Sequence, residues 1–282
     1  MKKLLAFALI LAGLLAAAVY AGPGILSEPA RRLLVWKLNR ETQPVFKDTV
    51  KIEKLILTRD LSVRMENLSA RLQTKTGSAP LEIGTLNSRG PVPQLFSKDG
   101  LLFDFTGVRT AGSDAAGLHG VWQIVLGPEG FSDISADIDG LNFGDIVWMS
   151  PENLAGMTGL ITGNLHLRSA VSGQVLIDST LKVLPPGGEI QARFFQVLQP
   201  YLPGAAQPLL IQATLSGAVV TYKEAEAHIT LAKPDELNVF LYLLVPVYNL
   251  NIRLNLTVKL DEENAFGKLA QVMGLLHPAA TQ

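Results

Sequence analysis

Leu250-Asn251-Ile252-Arg253-Leu254-Asn255-Leu256-Thr257-Val258-Lys259-Leu260-Asp261 alternates without a fault. The aliphatic residues take one parity and the polar residues the other. A period of two belongs to a β-strand, so this stretch makes a strand with one oily face and one wet face. Removing each large aliphatic from water is worth roughly 1.5–3 kcal/mol, so six of them call for roughly 9–18 kcal/mol of cover. Another sheet, helices or a bound lipid can supply that cover, and the choice among them is the functional question.

Working outward, the same period recurs along most of the chain. Val50-Lys51-Ile52-Glu53 begins one run. Leu61, Val63 and Met65 mark another, and Leu68, Ala70 and Leu72 follow in shifted phase. Leu101, Phe103 and Phe105 form a group. Ile134, Ala136 and Ile138 alternate with Asp133, Ser135, Asp137 and Asp139. Val175, Ile177, Ser179, Leu181 and Val183 share a face, as do Leu209, Ile211, Ala213 and Leu215. Ala225, Ala227, Ile229 and Leu231 oppose Glu224, Glu226, His228 and Thr230, and Leu237, Val239, Leu241 and Leu243 lead into the first-quoted strand. Turn signals separate these runs at Lys98-Asp99-Gly100, Gly127-Pro128-Glu129-Gly130, Asp139-Gly140 and Pro185-Pro186-Gly187-Gly188. The spacing predicts a mainly antiparallel meander of roughly 12–15 strands.

Helical signals are few. Gly22-Pro23-Gly24 reads as a break, and Ser27 offers an N-cap with Glu28 and Pro29 in the first turn. Leu33, Leu34, Trp36 and Leu38 extend that short helix to about Asn39, within a stretch 25–48 that also serves as linker. Its basic residues and Trp36 suit a membrane surface, and a helix capping the sheet suits them equally. Ala192 to Leu202 is an apolar, turn-rich helical segment. From 262 to 276, Phe266, Leu269, Met273 and Leu276 recur at helical spacing.

The 282 residues are 48% hydrophobic, with 24 basic and 25 acidic side chains. That supports a large core. No basic stripe stands out in the β-rich region, which argues against nucleic acid as a partner. With no cysteine, disulfides, thiolate metal sites and cysteine nucleophiles are excluded. At the N-terminus, Lys2 and Lys3 precede a charge-free run from Leu4 to Ala21. As a helix it would span about 27 Å, close to a bilayer's hydrocarbon core. Val19-Tyr20-Ala21 also resembles a cleavage site. Residues 1–24 therefore read as a retained signal anchor or a cleaved signal peptide, and either exports the rest.

Catalytic chemistry finds no support. His119, His166, His228 and His277 are far apart and hold no metal spacing. Ser179 and Lys182 make a formal S-x-x-K but fall on opposite faces of a strand. Asp137-x-Asp139-Gly140-x-Asn142-x-x-Asp145 lacks the glycine position and final glutamate of a calcium loop and reads better as a turn. No phosphate loop, dinucleotide fingerprint or nucleophile elbow occurs. The expectation is a protein that is not an enzyme and needs no cofactor or metal.

Two segments carry a family resemblance. The first runs from Leu154 through Gly159-Leu160-Ile161-Thr162-Gly163-Asn164-Leu165-His166-Leu167 and on to Leu181 through Ile190 with its Gly-Gly turn. The second runs from Ala227 to Leu231, through Pro246 to Leu256, to Phe266-Gly267-Lys268-Leu269. They resemble the AsmA-like superfamily, which includes AsmA, TamB, YdbH and the type II secretion component GspN. The resemblance covers about 150–276 well and 50–150 by pattern alone. It implies a long twisted antiparallel sheet over 49–282, curled into an apolar groove (a β-taco) with short capping helices. It also implies lipid transport between inner and outer membranes, with the domain in the periplasm, anchored to the inner membrane or free after signal cleavage. The groove face would carry Val175, Ile177, Leu181, Val183, Ile229, Leu231, Leu250, Ile252, Leu254, Leu256, Val258 and Leu260, with membrane lipids as partners. At about 4.8 Å per strand, 12–15 strands stack to about 58–72 Å, short for bridging an envelope alone.

Three functions stay open. The first is a lipid-binding groove of the cell envelope. The second is a GspN-like structural or assembly component of a secretion or outer-membrane machine, offering a sheet edge to an envelope partner by strand pairing. The third is a closed β-sandwich whose oily faces satisfy each other.

Overall fold

Alternation is realised as strands wherever the chain can pair it. The computed structural model describes residues 23–41, 43–47, 49–74, 77–110, 117–126, 130–143, 156–170, 175–191, 194, 204, 219–233 and 236–259. The charge-free run 4–21, the alternating run 209–215, most of 192–202, Leu260 and the helical segment 262–276 lie outside them. Two helices come first, α1 (Pro23–Glu41) and α2 (Gln43–Phe46). Then follow β1 (Lys51–Leu57), β2 (Val63–Thr74), β3 (Gly77–Ser88), a 3-10 turn at Val92–Phe96, β4 (Leu101–Thr110), β5 (Leu118–Val125) and β6 (Phe131–Asn142). The second half holds β7 (Leu160–Ala170), β8 (Val175–Val183), β9 (Gly188–Gln191), β10 (Val219–Tyr222), β11 (Glu224–Lys233), β12 (Glu236–Val245) and β13 (Leu250–Lys259).

Eleven strands form one antiparallel sheet in the order β1-β2-β3-β4-β5-β6-β7-β8-β11-β12-β13. Each strand pairs with the one before it, save that β9 and β10 leave the meander and pair with each other. No helix among the described residues is long and apolar enough to cross a membrane. A sandwich would need a second sheet of comparable size, and among the described residues the second sheet has two strands.

The phase shift between Met65 and Leu68 has a local cause. Asn67 takes a left-handed backbone (φ 52°), and Gly107 does the same (φ 70°). Gly84 lies between them in the register, since Glu66 pairs Thr85 and Leu68 pairs Ile83. Left-handed backbone favours Asn and Gly over other residues. On β1 the same line is met by Glu53, whose carboxylate accepts a hydrogen bond from Asn67 Nδ2. The turnover lets Leu86 and Ile83, of opposite parity, pack on the same cluster. Buried Ile52 and Leu55 on β1 are likewise three apart, with Glu53 and Lys54 exposed between them.

Three local readings change. The helix begins at Pro23, because a proline in the first turn forfeits no hydrogen bond there. Ser27 sits inside that helix, and its Oγ accepts the Leu57 N–H of β1 at 3.1 Å instead of capping a helix end. Asp139-Gly140 makes no turn: β6 runs through it, with a register slip between Ile138 and Leu141 and Gly140 at φ 69°. One extra residue with left-handed backbone is how a strand bulges without ending. The strands β3 and β5 carry no clean alternation, and Pro80 and Gly84 in β3 obscure it further.

Candidate apolar face

Register converts the strand-by-strand alternation into a surface. One transverse row crosses all eleven strands: Leu55, Met65, Leu86, Phe105, Gly120, Ala136, Leu165, Ser179, Ile229, Val239 and Leu256. At about 4.8 Å per step it is about 48 Å long. A second row runs Leu118, Ile138, Gly163, Leu181, Ala227, Leu241 and Leu254. A third runs Phe103, Trp122, Ile134, Leu167 and Ile177, with Leu231, Leu237 and Val258 continuing at the far end. The other face is polar along Asn87, Asp104, Val121, Ser135, His166, Asp178, Thr230, Asn238 and Thr257.

The apolar face is covered differently along its length. At the β12–β13 end, the two-stranded sheet lies over it. Tyr222, Val220, Ile190 and Met157 form one buried cluster with Leu243, Val245, Ile252 and Leu254. Tyr222 is fully buried and its OH donates to the Thr158 carbonyl at 2.7 Å. Burial pushes its phenol up to about 12, because the interior disfavours the anion. On β7, β8, β11 and β12, Ile177 and Leu237 are buried, and among the described residues the apolar neighbours packed on them, Leu167, Val175, Ile229 and Leu231, come from the same sheet and are partly buried.

At the β1 end, helix α1 lies along the sheet edge. An apolar cleft of about 220 Å³ opens beneath it. Leu26, Ala30, Leu33 and Leu34 line it from the helix, Leu55, Leu57, Val63, Met65 and Phe103 from the sheet, and Val92, Leu95 and Leu126 close it. Three helix side chains hold the edge: Arg31 donates to Ile52 O (2.8 Å), Ser27 accepts from Leu57 N–H, and Asn39 both donates to Val50 O (3.1 Å) and accepts from Val50 N–H (2.8 Å). Glu28 accepts from Arg31 and Arg32, whose guanidinium groups hold its carboxyl down at about 2. Away from the sheet, α1 exposes Arg32, Trp36 and Arg40, with Arg40 stacked 5.4 Å from the Trp36 ring. The helix thus caps the sheet edge and leaves Arg32, Trp36 and Arg40 exposed on its other side.

The residues expected on the groove face fall into these zones. Val175, Ile177, Ile229 and Leu231 gather in the cluster on β7, β8, β11 and β12. Ile252 and Leu254 are buried under the two-stranded sheet, with Val183, Leu250 and Leu256 packed at that cluster's margin. Leu181 lies in the second row, Val258 pairs Leu237, and Leu260 lies outside the described residues. The cleft residues of α1 and the 3-10 turn were missed, although Leu33, Leu34, Val63, Met65 and Phe103 each stood in a recognised apolar run.

Titratable groups line the polar face. His166 contacts Asp133 at 2.9 Å, and His228 contacts Glu226 and Thr180, each at 3.0 Å. His119 is exposed opposite Asp137. Ser179 is 1% exposed on the apolar face with its hydroxyl donated to Asn164 O, whereas Lys182 points the other way and pairs with Glu226 at 3.2 Å. The S-x-x-K spacing therefore brings no nucleophile to a base. Set against family models, characterised proteins and solved structures, the chain matches none.

Proposed function

We propose that this chain is an envelope protein whose apolar sheet face binds lipid acyl chains, taking part in lipid transport between inner and outer membranes. The observation that carries the reading is the cluster on β7, β8, β11 and β12: Leu167, Val175, Ile229 and Leu231 are only partly buried, and among the described residues their apolar neighbours come from their own sheet. Large aliphatics standing side by side at partial exposure leave apolar area for an acyl chain to cover. The cleft under α1 adds a second apolar recess at one end of the same face. The mechanism is passive: acyl chains lie along the rows, the sheet curled round them as a groove, and head groups stay in water. No cofactor enters. In this reading the charge-free run 4–21, as an anchor or before signal removal, would hold the start of α1 near the inner membrane, and the exposed Arg32, Trp36 and Arg40 would suit a bilayer surface.

The test is capture in cells. A photo-crosslinking residue at Leu231 should form lipid adducts, and one at Asn238, on the opposite face, should form none. Mass spectrometry of the purified chain should find lipid near one per chain. Absence of adducts at Leu231 together with lipid-free protein would end this reading. It would favour the second one, an assembly component of a secretion or outer-membrane machine, for which the supporting feature is the outer strand β13, unpaired on its outer side among the described residues.

A further inference from the structure

The two outer strands of the large sheet are treated differently. Along β1, α1 side chains bond Ile52 O and Leu57 N–H of the strand and both backbone groups of the preceding Val50. β13 ends the strand order, and among the described residues nothing pairs with its outer side. Of the usual devices that blunt an edge it carries only charge, at the exposed Arg253 and Lys259. It is ten residues long, carries no proline, and pairs with β12 at every position from Leu250 to Lys259 without a bulge.

Its sequence is complementary to itself. Set two copies antiparallel about Asn255, and Leu254 meets Leu256 while Ile252 meets Val258. Arg253 then meets Thr257, and Lys259 meets Asn251. Apolar residues fall on one face and no cation faces a cation. Centring on Arg253 instead stacks arginine on arginine, and centring on Leu256 sets Arg253 against Lys259. Like charges directly opposite are unfavourable, so the charges exclude those two centres and permit Asn255, where two side-chain amides face each other. We propose that β13 is a homotypic edge through which two copies of this chain join into a single twenty-two-stranded sheet. The two-fold axis stands perpendicular to the sheet, so each apolar face continues into the other. The joined rows would run about 100 Å, about twice the reach of one chain. This inference concerns assembly and stands apart from what the face binds.

The chain has no cysteine, so single substitutions report cleanly. In the detergent-extracted full chain, Asn255→Cys should form a disulfide-linked dimer under mild oxidation, because position 255 meets its own copy. Asn251→Cys should stay monomeric, since its copy lies about 27 Å away along the strands. Thr257→Glu should tighten the dimer and Thr257→Lys loosen it, each by about 2- to 30-fold in light scattering. A photo-crosslinker at Asn255 in cells names the occupant: adducts to β13 of a second copy support the proposal. Adducts to residues 260–282 of the same chain, or to a different protein, overturn it. So does a full-chain monomer, equal linkage at 251 and 255, or indifference to the sign at 257.

Discussion

The β1 end of the sheet has its edge covered and its face partly open, and the β13 end has the reverse. At β1, Ser27, Arg31 and Asn39 of α1 reach backbone groups of the outer strand, while a cleft of about 220 Å³ remains between helix and sheet. At β13, Tyr222 and its two-stranded sheet seal Ile252 and Leu254 from above, while the strand's outer side has no partner among the described residues. Edge and face are thus separate problems. Polar side chains on a helix satisfy a backbone edge. Apolar side chains on a hairpin-sized sheet satisfy a face. Each end solves one and leaves the other available, the β1 end for a ligand and the β13 end for a strand.

The largest test of this contrast is Tyr222→Ala. It empties a fully buried position and leaves the Thr158 carbonyl without its donor. A loss of roughly 3–5 kcal/mol in denaturant unfolding is expected. Hydrogen exchange should rise in β12 and β13 and remain unchanged in β1 and β2. Equal loosening at both ends would show one cooperative core and dissolve the comparison.

The same residue gives a pH signature. The phenol ionises near 10 in an unfolded chain and near 12 here. Its raised value means the neutral form belongs to the fold. Stability is therefore full below about pH 10 and falls as pH rises toward 12, by up to about 3 kcal/mol. Tyr222→Phe should flatten that alkaline decline at the cost of about 1 kcal/mol at neutral pH, from the lost hydrogen bond. A decline that persists in the phenylalanine variant would assign it elsewhere.

These features were unevenly legible in the amino-acid sequence. The parity of β13, β11, β8 and the first half of β6 was visible because apolar and polar residues alternate along most of each strand. The break in phase at Met65 to Leu68 was visible too, but its cause was not. It takes Asn67, Gly84 and Gly107 in one lateral line, and register between strands is not written in any one of them. The cover over Ile252 and Leu254 was hidden for the same reason. Gly188–Gln191 and Val219–Tyr222 are four-residue strands nearly thirty residues apart, too short and too distant to announce a pair. Ser27 was read as a cap because the local pattern fits one; its partner is Leu57, thirty residues on.

At the other end, Asn39→Ala removes both partners of Val50, whose N–H and C=O turn toward α1 beside a buried side chain. Leaving them unpaired should cost about 1–3 kcal/mol. The exchange effect should be confined to β1 and its neighbour β2. If the strand frays no faster, α1 is an onlooker and β1 is as bare as β13.

The smallest effect concerns how α1 is held. Glu28 accepts hydrogen bonds from Arg31 and Arg32, and Arg31 in turn donates to Ile52 O. The carboxylate therefore fixes the guanidinium that reaches the edge. Its pKa is depressed to about 2, so its contribution is present above the ordinary value near 4.5 and is lost as pH falls toward 2. The group lies in water, where such pairs are weak. Glu28→Gln should leave global unfolding unchanged and lower protection of the β1 amides around Ile52 only a few-fold at pH 6. Wild type should drift toward the same protection as pH falls from about 4.5 toward 2, while the glutamine variant stays flat over that range. β13 should respond to neither change. A matching acid response at β13 would mean that the two edges share one control, and the separation between them would fail.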